Sequence, residues 1–122
     1  MDKRVSEAEL EIMEALWSAD APIAAADVGS KVADRGWSLP TVKTMLSRLT
    51  QKGVVDYIEE GRRYLYRPTI ERDAYVGGES RRLVDRLFGG KLSPMIARLA
   101  EDEALSSEEI DEIEALLREL KQ

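Results

Sequence analysis

The chain has no cysteine and no histidine among its 122 residues. Without cysteine it can form no disulfide, no thiolate metal site and no thiol nucleophile; without histidine it lacks the commonest general base and the commonest neutral metal ligand. Few tools for catalysis remain, and neither a metal nor a cofactor is expected. Long apolar runs are also missing. None approaches the ~20 residues needed to cross a bilayer, and the opening Met1-Asp2-Lys3-Arg4 carries no apolar stretch of the signal-peptide kind. A cytoplasmic protein with no membrane partner is expected, of a length that fits one small domain plus an extension, since domains typically run ~100 to 150 residues.

Positive charge is in short supply, with 18 Lys and Arg against 24 Asp and Glu and a formal net charge of −6. The deficit is uneven. Residues 38–72 hold Lys43, Arg48, Lys52, Arg62, Arg63, Arg67 and Arg72 against four acids, a surplus of three, while the segments on either side run to deficits of four and five. A local basic patch can neutralise phosphates even on an acidic protein, with weak long-range steering and strong salt sensitivity.

That basic segment contains the most informative run, Trp37 to Gly53. At about 100° per residue, Val42, Met45, Leu46 and Leu49 fall on one helical face and Thr41, Thr44, Ser47, Arg48 and Gln51 on the other. The apolar face needs a core. The second face has no acid, only hydroxyls, an amide and a cation, with Lys43 and Lys52 at its flanks. It suits a partner that offers phosphate oxygens and base edges.

Upstream, Ser6 and Glu9 have capping-box spacing ahead of Leu10, Met13 and Trp17, which predicts a first helix over 6–18. Asp20-Ala21-Pro22 breaks it, and a second short helix is predicted over 24–34, with Gly36 beyond its end and Trp37 plugging the core. Ser38 can cap the third helix, with Pro40 tolerated in its first turn. Two short helices joined by a tight turn make a helix-turn-helix whose second member is the natural reader. After Gly53 the period becomes extended: residues 54–58 and 63–67 are β-branched or aromatic runs around Gly61, which predicts a hairpin stopped by Pro68. The sum is a mainly α fold with a small β-hairpin wing, a winged helix-turn-helix domain over 1–70. Arg62 and Arg63 at the tip are candidate phosphate contacts; the bland alternative is a solvated turn.

Residues 71–122 read as a helical dimerisation region. Leu83, Val84, Leu87 and Phe88 mark a long helix that Gly77-Gly78 should weaken or kink and Gly89-Gly90 should end. Ser93-Pro94 reads as a cap and N1 proline for a short helix with Met95, Ile96 and Leu99, and Ser106 with Glu109 opens a last helix bearing Ile110, Ile113, Leu116, Leu117 and Leu120. Three short helices bury such stripes poorly alone. A two-fold homodimer through Leu83, Leu87, Phe88, Met95, Ile96, Leu99, Ile110, Ile113 and Leu117 would cover them; folding back onto the first domain is the alternative. A dimer would carry two reader helices to half-sites ~34 Å apart, an inverted repeat of double-stranded DNA.

Two other classes stay open. An acidic winged helix can be a protein-interaction module without DNA binding, although that predicts an apolar reader face. An enzyme would have to use Glu59, Glu60 or the run 101–103, which read as a turn and a solvated face with no phosphate loop. The acids at 108–112 read as a helix N-terminus and lack EF-hand spacing.

The run Trp37-Ser38, Thr41-Val42, Thr44, Leu46, Arg48-Leu49, Lys52-Gly53, then Glu60-Gly61-Arg62 and Tyr66, resembles the signature of the penicillinase-repressor (BlaI/MecI/CopY) family, and Glu9 to Met13 with Leu16-Trp17 is similar to its first helix. The resemblance implies a dimeric winged-helix transcriptional repressor on an inverted repeat, commonly with TACA and TGTA halves. It implies Thr41, Lys43 and Thr44, with Ser47 beside them, against bases, Arg48 on phosphate or a base edge, and Arg62, Arg63 and Tyr66 holding the backbone from the wing. β-Lactam-responsive members are released by proteolysis at an Asn-Phe bond; the matching place here is Arg98-Leu99, which leaves the trigger, and any sensor or protease partner, open. The cysteine metal motif of copper-responsive relatives is absent.

Overall fold

The computed structural model describes residues 4–122, so Met1, Asp2 and Lys3 of the opening segment lie outside the described residues. The order is α1 (Glu7–Trp17), β1 (Ile23–Ala24), α2 (Ala25–Lys31), a 3-10 turn (Ala33–Arg35), α3 (Leu39–Gln51), β2 (Val55–Glu60), β3 (Arg63–Pro68), α4 (Arg72–Phe88), α5 (Leu92–Glu101) and α6 (Ser107–Leu120). It is a mostly helical fold with one antiparallel sheet ordered β1-β3-β2. Among the described residues no helix is long and apolar enough to cross a membrane.

Local chemistry sets the helix starts. Ser6 caps α1 in a full capping box, its hydroxyl accepting from the Glu9 amide while the Glu9 carboxylate accepts from the Ser6 amide at 2.8 Å. Ser38 and Ser106 accept from Thr41 and Glu109 in the same way. Gly36 takes the left-handed conformation, φ 70°, that turns the chain toward α3.

Several boundaries differ from the sequence expectation. The second helix stops at Lys31, where Val32 leaves helical geometry, and continues as the 3-10 turn rather than running to Asp34. Ile23 and Ala24 form a strand, pairing with Tyr66 and Leu65; two residues carry no readable period, so only the tertiary partner makes them extended. The pair Gly77-Gly78 leaves α4 continuous. Lys91, not Ser93, caps α5, which places Pro94 third in the helix, where a missing N–H still costs no intrahelical bond.

The chain divides into two compact units, one ending at Tyr75 and a second, Val76–Gln122. The core of the first joins Ile12, Met13 and Leu16 of α1, Val28 of α2, Val42, Leu46 and Leu49 of α3, and Val54-Val55 entering the wing. The unit runs past residue 70 because α1 grips the start of α4. Trp17 Nε1 donates to the Ile70 carbonyl at 2.9 Å, Arg72 forks onto the Glu14 carboxylate at 2.7 and 3.0 Å, and the Tyr75 ring lies 5.7 Å from that of Trp17. Trp37 packs half-buried against the core with the Arg35 guanidinium over its ring. The helical stretches of the second unit hold no buried residue.

Candidate nucleic-acid interface

Helix α3 turns its two faces as its sequence requires. Val42, Met45, Leu46 and Leu49 are buried, while Thr41, Lys43, Thr44, Ser47, Arg48 and Gln51 are exposed. The threonines are committed locally: Thr41 Oγ1 lies 3.0 Å from Ser38 Oγ, and Thr44 Oγ1 donates to the Pro40 carbonyl at 3.0 Å. With its proton spent on the helix, the Thr44 hydroxyl offers outward only acceptor lone pairs beside its methyl. Such a side chain matches a thymine methyl or an amino group on a base edge.

The cations divide into free and paired. Lys52 departs from the flanking role its position suggests: its ammonium bonds the Glu9 carboxylate, which is only 3% exposed. Burial pushes the Glu9 carboxyl up, but the Lys52 ammonium and the Ser6 amide outweigh it and hold it below the ordinary 4.5. Arg67 pairs with Asp56 across the strands, at 2.6 Å, and Arg63 with Glu60 at 2.9 Å. Among the described residues of the basic segment, Lys43, Arg48 and Arg62 remain without an acidic partner.

The wing is a two-residue turn, Gly61-Arg62, between Glu60 and Arg63, with Gly61 at φ 66°. Its register sets Tyr57 against Tyr66 and Glu59 against Tyr64, so Tyr57, Tyr64 and Tyr66 share one face. Tyr66 is half-buried on the core. A groove of about 560 Å³ runs from the first residues of α2 past Leu39 and Lys43 of α3 to Arg62, Arg63, Tyr64 and Tyr66. It brings together the residues expected from reader helix and wing, except that Thr41, Thr44, Ser47 and Arg48 lie along the open face of α3 and do not line it. Among the described residues, no three acids come together as a metal site.

The sequence profile of the penicillinase repressor family matches residues 5–119. The penicillinase repressor of Bacillus licheniformis is 34% identical over 119 residues, 97% of this chain and 92% of that protein. The chain belongs to the penicillinase repressor family. The methicillin resistance regulatory protein MecI of Mammaliicoccus sciuri is 26% identical, covering 93% and 92%. Among solved structures, the solution structure of the DNA-binding domain of the repressor BlaI is similar with TM-score 0.53 and 35% identity, over 60% of this chain and 89% of that one. The Bacillus licheniformis BlaI monomeric form in complex with the blaP half-operator is similar with TM-score 0.50 and 36% identity, over 59% and 88%. The MarR C80S mutant from E. coli shares the fold over 97% of this chain and 79% of that one, with TM-score 0.56 at 19% identity.

Sequence reasoning placed Glu9 in the capping box but not beside Lys52, and gave Tyr57 and Tyr64 no role. The capping-box spacing accounts for Glu9 at the start of α1, and only folding brings Lys52 to it, 43 residues away. The tyrosines were findable, because a two-residue turn centred on Gly61 forces residues 57, 64 and 66 onto one face.

Proposed function

We propose that the chain is a DNA-binding transcriptional repressor whose helix α3 enters the major groove while the wing grips the adjacent backbone. The observation that carries this reading is the exposed, acid-free face of α3 beside the unpaired Lys43 and the wing's Arg62. Thr41, Lys43, Thr44 and Ser47 face bases, Arg48 reaches phosphate or a base edge, and Arg62, with a smaller part for Arg63, holds the backbone. The solved complex of a relative with a half-operator supports DNA as the partner. The protein is a regulator and not an enzyme, and works in the cytoplasm. An apolar reader face, which a protein-interaction module would need, is not what α3 presents.

It binds an inverted repeat as a homodimer. Supporting this, none of Leu83, Leu87, Phe88, Met95, Ile96, Leu99, Ile110, Ile113 and Leu117 is buried within the chain, and so large an uncovered apolar set calls for a partner surface. The promoter it silences serves β-lactam resistance or a related response. Arg98-Leu99 lies inside α5, whereas the connection to α6 is open chain; a protease, or a sensor acting through one, would release the operator by severing α6 there.

Fluorescence anisotropy on a duplex with inverted TACA and TGTA halves and on a scrambled duplex, at two salt concentrations, tests the reading. The expected result is preference for the inverted repeat, reduced about 5- to 150-fold in Thr44→Ala, since one base contact is worth ~1–3 kcal/mol. Equal affinity for both duplexes at low salt would refute it. Light scattering tests the pairing, and a monomer at working concentration would contradict it.

A further inference from the structure

The exposed rings of the wing are arranged with more order than a solvated hairpin requires. Tyr57 and Tyr64 are 40% and 42% exposed, yet stack with centroids 4.1 Å apart and planes within 23°. Tyr66 stands edge-on to Tyr64, centroids 6.3 Å apart and planes at 77°, and tilted against Tyr57 at 5.9 Å. Because Tyr66 is itself packed on the core, it anchors the other two. The result is a rigid aromatic platform ending in two phenols, one of which lines the groove that holds Lys43 on the helix side and Arg62 on the wing side.

A phenol is a neutral donor on a side chain with only two torsions to fix, and a phosphate oxygen accepts strongly from it. Two unpaired cations at the same groove supply the charge that a phosphate needs and a base edge does not. Tyr66, the wing residue expected on the DNA backbone, lines the same groove and is also packed half-buried against the core. Resting on the repressor reading above, we infer that the Tyr57–Tyr64 stack is a phosphate clamp: Tyr64 donates to one backbone phosphate held between Lys43 and Arg62, and Tyr57 positions its ring. Glu59 faces Tyr64 across the strand pair and works against the clamp by repulsion, so Glu59→Gln strengthens it.

The test is Tyr64→Phe, which keeps the ring and deletes only the hydroxyl. Its affinity is measured on the TACA/TGTA duplex, on the scrambled duplex, and on matched duplexes with single neutral methylphosphonate linkages stepped across each half-site. We expect about tenfold weaker binding to both plain duplexes, the scale of a hydrogen bond to a charged group, and one linkage whose neutralisation weakens the wild type clearly more than it weakens Tyr64→Phe, in which only the Lys43 and Arg62 attraction is left to lose. Thermal midpoints of Tyr64→Phe and Tyr57→Leu separate contact from folding: the former keeps the wild-type value. If wild type prefers the inverted repeat and Tyr64→Phe binds as tightly, the clamp falls and the repressor reading stands. Weaker binding with no linkage singled out also overturns it, because the hydroxyl then acts without touching phosphate. If wild type binds neither duplex, clamp and repressor reading fall together.

Discussion

Beyond the shared core, a single buried acid ties the first helix to α3. Glu9 closes the cap of α1 with its own helix start and reaches Lys52 at the C-cap of α3. Removing its charge leaves the Lys52 ammonium partly buried without a partner, so Glu9→Gln should cost about 1–3 kcal/mol, read as a lower urea midpoint at neutral pH. The Glu14 carboxyl is likewise held below its ordinary value, first by the Arg72 fork. Both carboxyls titrate lower in the folded than in the unfolded chain. Their stabilisation is therefore complete above pH 4.5 and is lost as pH falls from there through the folded values. Unfolding midpoints followed from pH 7 to 3 should drop more steeply below that point in wild type than in the Glu9→Gln, Glu14→Gln double variant; parallel curves would remove both pairs from the account.

Elements with a strong period or a paired cap were legible beforehand. Helix α3 shows why: its buried and exposed residues separate at 100° steps, Ser38 caps it, and the core confirms each inward position. The hairpin was legible through Gly61 and the aromatic alternation, and the penicillinase-repressor signature was carried by side chains on these same two elements. Strand β1, the early stop of α2 and the Lys91 cap of α5 were not legible, since each is decided by a tertiary partner or by backbone geometry that no side chain announces. The site followed the same rule. Thr41, Thr44 and Arg48 could be placed on a face, but whether a cation is free depends on which acid folding brings to it, as at Lys52, Arg63 and Arg67. At this scale the underside of the reader decides stability: Leu46 is fully buried, and Leu46→Ala should cost about 2–5 kcal/mol with loss of operator binding near the lowered melting point.

Charge separation is the property of the whole molecule that lets an acidic protein meet DNA. Acids dominate the segments flanking residues 38–72, and within that segment internal ion pairs withdraw Lys52, Arg63, Arg67 and Arg72. In the proposed dimer, three free cations per chain, Lys43, Arg48 and Arg62, would make about six phosphate neutralisations, and so a slope of log affinity against log salt near −5. Arg62→Ala should flatten it by about two in a symmetric dimer and weaken all sequences alike. A wild-type slope as steep as about −10 would mean that the paired arginines open to serve DNA.

The central claim is that the threonine face of α3 lies in the major groove, where alone the thymine methyl is displayed. The most direct measurement is a thymine-to-uracil scan of each half-site, with affinity recorded for wild type and for a Thr41→Ala, Thr44→Ala double variant. The account predicts at least one thymine whose methyl, when deleted, weakens wild type about 3- to 10-fold and leaves the variant unmoved. A scan in which every deletion affects the two proteins equally, or affects neither, would contradict it.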